Sequence, residues 1–380
     1  MRLICCAFLL LAVGPAAPRS AAADAAHFFG FVRFDAFTLA ASNGVLFLTS
    51  PWLTPPTPWD EAVVSWNAGC PDEAQLTVEA RAAGSQGSTP FYALGVWSTN
   101  SDPPLRRSVK GQKDEWAEVK TDTLICRLPA ERVQVRLRLE NRARPLQPGV
   151  LSQDAAEALE QAVARWGLKF LGVSTLNTRA PREPVSPNRN AWGRSLEVPL
   201  RSQLAHPDGK NWCSPASLAM VLACWAKQLE RPGLDLPLAE VARGVFDPAW
   251  DGTGNWVFNT AFAGAFDGLR AYVTRLADLG EIEDWIASGA PVIASVSFDL
   301  LNGKARDAGT GHLVVVTGFS ESGEVWVNDP WPDKGTGPLV RKTVDRETFR
   351  RAWARSHQTV YLVYPTGHRP PADRLRHWQP

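Results

Sequence analysis

A cysteine, a histidine and an aspartate in the second half of the chain are of the types that nucleophilic catalysis needs. Cys213 stands directly before Ser214, which suits a helix N-cap, and Pro215, which suits the first helical position. The unpaired N–H groups and the positive dipole end of a helix start favour a thiolate over a thiol. The segment therefore predicts an activated cysteine at a helix tip, and a small buried cysteine that only fills space fits it about equally well.

The histidine and the aspartate fall on two runs that read as a β-hairpin. Residues 311–318 form an aliphatic strand that begins with His312, and residues 324–330 form a second strand that ends near Asp329. Because the start of one antiparallel strand lies beside the end of its partner, the two side chains are expected at the same edge. A carboxylate in that position orients an imidazole and fixes its tautomer. A core histidine and an ordinary Asp-Pro turn are the simpler alternatives for each residue alone.

Short strands separated by turn residues dominate the first half of the chain. Residues 133–139 alternate aliphatic and polar side chains, the pattern of a strand with one buried face. Five further runs read as strands: 62–66, 75–81, 91–97, 118–126 and 168–174. The set predicts an all-β sandwich, jelly-roll-like, over residues 24–178. A helical insertion is expected near residues 154–166, beginning at the capping box Asp154–Glu157.

A second domain is expected after a linker. The segment 179–198 is rich in proline and arginine and has no periodicity, which predicts the linker. Beyond it, long helices followed by dense β structure predict an α+β domain over residues 199–380. The chain has 380 residues, 45% of them hydrophobic and 21% charged, which suits two globular domains and excludes a mainly disordered chain.

The first residues have the composition of a secretory signal peptide. Arg2 precedes the apolar run Leu3–Val13, and the small residues Ala21–Ala23 form an A-x-A cleavage pattern. We expect residues 1–23 to be removed and the mature protein to be extracytoplasmic, either periplasmic or extracellular. No later stretch reaches the ~20 apolar residues of a membrane span, so no stable span is expected after signal removal.

The charge and cysteine content indicate which ligands and cross-links to expect. Lys and Arg total 40 against 39 Asp and Glu, so no net field attracts nucleic acid. Of the six cysteines, Cys5 and Cys6 leave with the signal segment. The others lack the CxxC pairs or close histidines of a zinc site, and we expect neither a metal nor an organic cofactor. In an oxidising compartment, Cys70 and Cys126 could form a disulfide.

Several motifs, in order and spacing, resemble the C39-like cysteine peptidases of the papain-like superfamily, specifically the secreted bacterial type with a β-rich N-terminal region. The resemblance covers nearly the whole mature chain. It is carried by Ser202-Gln203, Trp212 to Pro215, Gly252 to Trp256, Gly311 to Phe319 and Val327 to Pro330, and in the first half by Val63 to Ala68 and Thr121 to Leu124. Ser214 stands where many members have glycine, a departure that the secreted type shares.

The resemblance implies a papain-like C-terminal domain that hydrolyses peptide or amide bonds. Cys213 would be the nucleophile, His312 the general base and later acid, and Asp329 the orienting group. Gln203 would donate to the oxyanion, with the backbone N–H of Cys213 as second donor. The substrate would be a peptide or protein, with cell-wall peptides among the candidates. Candidate residues of the substrate cleft are Trp212, Asn255 and Trp256.

Two other functions fit the same sequence. The triad could transfer the acyl group to an amine, as a transpeptidase or acyltransferase does, because water and amines attack the same thioester. Alternatively, the sandwich could carry many of the chain's 16 tryptophans as a carbohydrate- or surface-binding module, with the C-terminal domain a degenerate, non-enzymatic scaffold. The presence of all four chemical residues argues against the degenerate scaffold.

Overall fold

The computed structural model describes residues 24–71, 74–99, 106–141, 152–332 and 341–379, and the predicted signal peptide at residues 1–23 lies outside them. The helices in these ranges are α1 (Ala155–Arg165), α2 (Cys213–Gln228), α3 (Leu238–Val245), α4 (Trp256–Ala265), α5 (Leu279–Ala287), α6 (Phe298–Leu301) and α7 (Arg346–Ala354). The strands are β1 (Ala26–Phe31), β2 (Thr38–Ser42), β3 (Val45–Thr49), β4 (Trp59–Ala68), β5 (Ala74–Gly84), β6 (Gly87–Ser88), β7 (Tyr92–Trp97), β8 (Ala117–Lys120), β9 (Thr123–Ala130), β10 (Arg132–Asn141), β11 (Leu168–Leu176), β12 (Arg194–Ser195), β13 (Leu269–Arg275), β14 (Val292–Ser297), β15 (Gly311–Phe319), β16 (Val325–Asn328), β17 (Arg341–Val344), β18 (Thr359–Pro365) and β19 (Trp378–Gln379).

The strands form three sheets. The first has the order β19-β1-β11-β4-β9-β8, and the second has the order β2-β3-β10-β5-β6, with β7 also paired to β5. Residues 24–178, which supply all of these strands except β19, are called the N-terminal region below. The third sheet, β13-β18-β14-β15-β16-β17 with β12 on β15, belongs to the C-terminal region, residues 199–379, apart from β12. Pairing is antiparallel except between β1 and β19, which run parallel.

The predicted strand and helix patterns of the N-terminal region are confirmed at most positions. In β10 the aliphatic residues from Val133 to Leu139 are buried and alternate with polar residues, of which Arg136 and Arg138 are partly exposed and Gln134 is buried. Helix α1 begins after Asp154, whose carboxylate accepts the N–H groups of Ala156 and Glu157. The single strand expected over 118–126 is wrong, because the backbone turns at Thr121, with φ of 58°, and divides the run into β8 and β9.

Side chains of β4 complete the free edge of the third sheet. β13 is an end strand, so one row of its backbone groups has no neighbouring strand. Asn67 bonds both backbone groups of Ala271: its Nδ2 donates to the carbonyl at 2.7 Å and its Oδ1 accepts the N–H at 3.1 Å. Ser65 Oγ accepts the N–H of Val273 at 2.9 Å. Because these bonds satisfy buried backbone groups, the two regions are joined by directional contacts as well as by apolar packing.

The last residues of the segment expected as a linker pack against the C-terminal region. Arg194 and Ser195 form β12 and pair with Phe319 and Gly318 of β15. The indole Nε1 of Trp192 donates to Glu283 at 2.9 Å. Residues 189–195 are therefore part of the packed structure rather than a bare connection.

The expected disulfide between Cys70 and Cys126 is wrong, because both residues are free cysteines. Strand β4 pairs with β9 so that Glu61 lies opposite Ile125, next to Cys126, whereas Cys70 lies beyond the other end of β4. At about 3.3 Å per residue, this places the two sulfurs on the order of 25 Å apart, far beyond disulfide reach. Burial raises the pKa of each thiol to about 12, as expected for inert cysteines in the core.

None of the described helices has the length and apolarity that crossing a membrane requires.

Candidate active site

Cys213 is the first residue of α2, and Trp212 takes the cap position without a side-chain capping bond. The expectation that Ser214 caps the helix is wrong: its buried Oγ lies 3.0 Å from the hydroxyl of Tyr361 on β18. One turn later, Ser217 Oγ donates to the carbonyl of Leu313 at 3.0 Å, which ties α2 to β15. These two bonds fix the helix start beside the strand that carries His312.

His312 and Asp329 meet at one edge of the hairpin, as the strand pattern predicts. β15 and β16 are antiparallel neighbours, and Asp329 follows the last residue of β16. His312 Nε2 lies 2.6 Å from Asp329 Oδ1, and both side chains are almost completely buried. The ring of Phe298 packs edge-on against the imidazole, with centroids 5.1 Å apart. The imidazole is therefore held on one side by a carboxylate and on another by an aromatic ring.

Cys213 and His312 interact, and each shifts the pKa of the other. Because Asp329 occupies Nε2, the ring nitrogen left for the sulfur is Nδ1. Burial raises the pKa of the Cys213 thiol, but the hydrogen bond and charge of His312, with the backbone N–H groups of Leu313 and Ser214, bring that pKa below its ordinary value. Burial opposes protonation of His312, yet its bonds to Asp329 and Cys213 raise its pKa to about 9. The two shifts together favour a thiolate–imidazolium pair.

Asp329 has a second cationic partner that the sequence pattern does not reveal. Lys342 Nζ donates to Asp329 Oδ2 at 2.8 Å, while Oδ1 also accepts the backbone N–H of Trp331 at 2.9 Å. Burial raises the pKa of the Asp329 carboxyl, and the charges of His312 and Lys342 reverse this and keep that pKa below its usual range. Lys342 reaches the site because β17 pairs with β16, with Lys342 opposite Val327. No motif marks this lysine, because it is one of the chain's 40 Lys and Arg residues and lies in a strand of four residues.

Gln203 lies beside the site, but its amide is engaged elsewhere. Its Nε2 donates to the carbonyl oxygens of Gly209 and Lys210, at 3.0 and 2.7 Å. Its backbone N–H donates to the carbonyl of Pro330 at 2.9 Å, and its Oε1 has no partner among the described residues. Gln203 therefore ties the turn that precedes Cys213 to the segment that follows Asp329. An oxyanion-donor role requires one of its two amide hydrogens to turn away from a carbonyl.

A cleft of about 730 Å³ opens beside these residues, between the two regions of the chain. The N-terminal region lines one side of the cleft with Glu61, the turn 120–123 and Ile125. The C-terminal side of the cleft carries aromatic residues that include Trp250, Trp256, Phe298 and Trp331. Cys213, His312 and Gln203 also line this cleft.

The three candidate cleft residues have different positions. Trp256 lines the cleft, as expected. Asn255 is fully buried instead: it caps α4 by accepting the N–H of Phe258 and donates Nδ2 to Asp247 at 3.1 Å. Trp212 is not among the residues that line the cleft, and its ring stacks on that of His206 at a centroid distance of 4.6 Å. The expected substrate contact is therefore wrong for Asn255, whose side chain is buried and bonded to its own loop. A substrate contact of Trp212, which is half-buried, stays a prediction.

Within the ranges that the structure describes, no group of three or more His, Cys, Asp or Glu side chains is arranged to hold a metal ion.

Two family models match the chain. The model described as "Peptidase_C39 like family" matches residues 195–361, and the model described as "Peptidase C39 N-terminal domain" matches residues 44–157. No curated protein matches the chain significantly. A solved structure described as a C39-like peptidase from Bacillus anthracis is 20% identical, covering 44% of this chain and 95% of that one, with a TM-score of 0.33. A TM-score this low supports no inference about the fold.

The two models match successive parts of the chain and describe two parts of one kind of protein. The first includes Cys213, His312 and Asp329, and the second lies within the N-terminal region. The chain belongs to the C39-like peptidase family.

Proposed function

We propose that this chain is a secreted cysteine peptidase that hydrolyses peptide or amide bonds with Cys213, His312 and Asp329. The observation that carries the proposal is the position of His312, whose Nε2 lies 2.6 Å from a buried carboxylate and which lines the same cleft as Cys213. The interaction between His312 and Cys213 also shifts the pKa of both groups. Membership of the C39-like family supports the same reaction class. A peptide or protein is the substrate, and cell-wall peptides are a candidate group.

The reaction follows from the thiolate–imidazolium pair. The Cys213 thiolate attacks the substrate carbonyl carbon, forming a C–S bond and a tetrahedral oxyanion. The imidazolium of His312 gives its proton to the leaving nitrogen as the C–N bond breaks, which releases an amine and leaves a thioester. Neutral His312 then takes a proton from water, and the hydroxide attacks the thioester. The second oxyanion collapses, releases the carboxylic acid and returns the thiolate with a protonated His312.

Two donors are proposed for the oxyanion. The backbone N–H of Cys213 belongs to the first turn of α2, where N–H groups have no intrahelical acceptor. Gln203 supplies the second donor by turning one amide hydrogen from the carbonyl of Gly209 or Lys210 towards the substrate oxygen. Removing an oxyanion donor typically raises the barrier by ~3 kcal/mol, about a hundredfold in rate.

We also propose the finer architecture and the location. The sheets of residues 24–178 form a jelly-roll-like sandwich, and residues 199–380 form a papain-like α+β domain. Residues 179–198 link these two domains. The limits of the two matched family models, 44–157 and 195–361, support this division. Residues 1–23 direct export and are removed, so that the protein acts outside the cytoplasm.

The test compares the purified protein with Cys213→Ala and with a matched control, Cys224→Ala, on the same helix. Cys224 is buried and burial raises the pKa of its thiol, so its loss leaves the reaction intact. Incubation with a peptide library and with cell-wall fragments, read by mass spectrometry, is expected to show new carboxyl termini for the wild type and the control only. Products joined to an added amine instead of water indicate an acyltransferase.

Thiol labelling separates the enzyme from a degenerate scaffold. Iodoacetamide is expected to alkylate Cys213 rapidly at pH values well below the ~8.5 of a free cysteine. If Cys213 labels no faster than a model thiol and Cys213→Ala keeps every activity of the wild type, the proposed function is wrong.

A further inference from the structure

One wall of the cleft is an irregular segment between two helices. Residues 246–256, called the wall segment below, connect α3 to the first residue of α4. They include Trp250, whose side chain is 45% exposed although it is large and apolar. Asp247 organises the segment internally, because its carboxylate accepts the N–H of Ala249 at 3.1 Å and the amide of Asn255 at 3.1 Å.

Three residues of the N-terminal region form hydrogen bonds at the two ends of this segment. Arg106 donates Nε to the carbonyl of Phe246 at 3.2 Å and Nη2 to that of Arg243 at 3.0 Å. The backbone N–H of Ser108 donates to Asp247 Oδ1 at 3.0 Å. At the other end, Asp122 Oδ2 accepts the backbone N–H of Trp256 at 2.8 Å. Arg106, Ser108 and Asp122 are called the clamp residues below.

Two of the clamp residues, Arg106 and Asp122, are charged and buried at the contact between the two regions. Arg106 is 1% exposed and Asp122 is 5% exposed. Burial lowers the pKa of Arg106 to about 10 and raises the pKa of Asp122 to about 6, against its bonds to Trp256 and Thr123. Charged groups lose hydration free energy when they are buried, and they regain it only through well-placed partners. Here the partners are backbone groups at the end of α3 and the start of α4, so the charges fix the position of the segment.

The wall segment in turn contacts the turn before the nucleophile. Thr253 Oγ1 donates to the carbonyl of Asn211 at 3.0 Å, two residues before Cys213. Asn259 on α4 holds Thr253 by donating Nδ2 to its carbonyl at 2.9 Å. A continuous set of hydrogen bonds therefore runs from the N-terminal region through the wall segment to the turn that precedes Cys213.

We propose that the N-terminal region serves the peptidase site as a clamp: Arg106, Ser108 and Asp122 fix the wall segment, and thereby Trp250 and Trp256, in the position that binds substrate. This inference rests on the proposed function, because it assigns the cleft to a peptide substrate. Arg106 and Asp122 are positioning residues that act on peptide binding and leave the thiolate–imidazolium pair unchanged. The role of the N-terminal region is thus to complete the substrate cleft.

The test compares two alkylating probes of Cys213. Iodoacetamide reports the thiolate alone, whereas benzyloxycarbonyl-Phe-Ala fluoromethyl ketone must occupy the cleft before it reacts. In Asp122→Leu and Arg106→Met, the rate constant for the peptidyl probe is expected to fall about tenfold through weaker binding, because each variant loses charged hydrogen bonds to the wall segment. The iodoacetamide rate and its pH profile are expected to stay within about twofold of the wild type.

Conservative and remote variants serve as controls. Asp122→Asn keeps a carbonyl oxygen that accepts the Trp256 N–H, and it is expected to restore most of the peptidyl rate. Arg132→Met removes an exposed arginine that lies over the Trp52 ring, 5.0 Å from its centroid, and it is expected to change neither rate. Arg106→Lys, which keeps the charge, provides a milder variant if Arg106→Met unfolds. Equal losses with both probes, or no loss with the peptidyl probe, would overturn the clamp.

Amide hydrogen exchange tests the clamp without reference to activity. Exchange of residues 247–256 is expected to be about tenfold faster in Asp122→Leu and Arg106→Met than in the wild type, because the segment loses its anchors. Unchanged exchange there overturns the clamp even if the protein is an active peptidase. A wild-type protein that reacts with neither probe overturns the proposed function and with it the assignment of the cleft to a peptide, whereas the exchange measurement still decides whether the clamp residues hold the wall segment.

Discussion

At the scale of single residues, Asp329 is shared between two cations, and this sharing sets the basicity of His312. Lys342 and His312 contact different oxygens of one buried carboxylate. A lysine that neutralises part of the carboxylate charge makes the imidazolium less stable than an unshared carboxylate would. The lysine therefore opposes the rise in the pKa of His312 that Asp329 causes.

Lys342→Met is expected to raise the pKa of His312 above its value of about 9 in the wild type. Peptide hydrolysis needs a protonated His312 to release the amine, so the alkaline limb of its pH–rate profile should move to higher pH. The measurement is the pH dependence of kcat for Lys342→Met beside Lys342→Arg, which keeps the cation. A limb that stays in place or moves to lower pH contradicts this reading.

The sequence alone gives much of the site at this scale, and the reason is local. Cys213 is placed by the helix start that follows it, and His312 and Asp329 are brought together by neighbouring strands joined by a short turn. The position of Lys342 depends on how a third strand, β17, pairs with β16, and no short motif predicts that register. The occupied amide of Gln203 likewise depends on a turn conformation at residues 209–211 that residue types do not specify.

At the scale of elements, the turn at residues 209–211 is built against Gln203 at a distance that only glycine permits. A Cβ on Gly209 would lie 1.7 Å from the carbonyl oxygen of Gln203. The close approach leaves no room for any other residue unless the backbone moves. This glycine therefore fixes the relation between Gln203 and the turn that leads into α2.

Gly209→Ala is expected to reduce the rate of hydrolysis about as much as Gln203→Ala, roughly a hundredfold, because it displaces the proposed oxyanion donor. Gly233 is the control, since a Cβ there meets no atom within 4 Å. Steady-state kinetics of Gly209→Ala and Gly233→Ala make the comparison. Full activity of Gly209→Ala would contradict the role given to Gly209 in placing Gln203.

The edge of β13 gives a prediction about stability. Asn67→Leu leaves the N–H and carbonyl of Ala271 buried without partners, which should lower the free energy of unfolding by about 2–4 kcal/mol. Ser65→Ala removes only one acceptor, for the Val273 N–H, and should cost about 1 kcal/mol. Denaturant unfolding of the two variants measures both values. A smaller effect for Asn67→Leu than for Ser65→Ala would contradict the role given to Asn67.

Strands and helices can be predicted from sequence where their own residues show the burial pattern. The prediction fails where contacts with other elements determine the structure. The alternation of β10 is visible because one face is buried along its whole length. The division of 118–126 into β8 and β9 is not visible, since Thr121 takes a left-handed conformation that its residue type does not favour. Asn67 and Ser65 look like polar interruptions of a buried strand until β13 lies beside them.

At the scale of the whole molecule, the two regions share one hydrophobic core. Trp66 and Trp97 of the N-terminal region contact Phe258 on α4, with ring centroids 6.2 and 5.7 Å apart. One cluster of buried residues runs from the first sheet to the third. The aromatic rings of the two regions therefore pack in one cluster.

Residues 199–380 expressed alone are therefore expected to lack a cooperative unfolding transition, since α4 and the edge of β13 would be exposed to water. Circular dichroism during thermal unfolding, beside the full chain, is the measurement. A sharp transition for the fragment would show that the C-terminal region folds independently.

Stability should also depend on pH through His377. This buried histidine lies 3.1 Å from Asp24 and 2.9 Å from Glu281, and these carboxylates raise its pKa from 6.5 to about 9 despite burial. The folded protein then binds more protons than the unfolded chain between pH 6.5 and 9, so the free energy of unfolding falls as pH rises through this window.

His377→Gln should lower the free energy of unfolding by roughly 3 kcal/mol at pH 6, and the difference from wild type should shrink towards pH 10. His312 has a similarly raised pKa, so part of the pH dependence remains in the variant. Unfolding at pH 6 and pH 10 measures the change. A difference between wild type and variant that grows with pH would reverse the assigned sign.

The parallel pairing of β19 with β1 affects how the molecule can be made. Phe28 lies opposite Trp378 and Phe29 opposite Gln379, so this pair joins segments about 350 residues apart in the chain. Until Trp378 and Gln379 have been synthesised, the outer backbone of β1 has no strand beside it and is open to pairing with other nascent chains. Export ahead of folding, or a chaperone that shields β1 until β19 is made, would keep such a chain from aggregating.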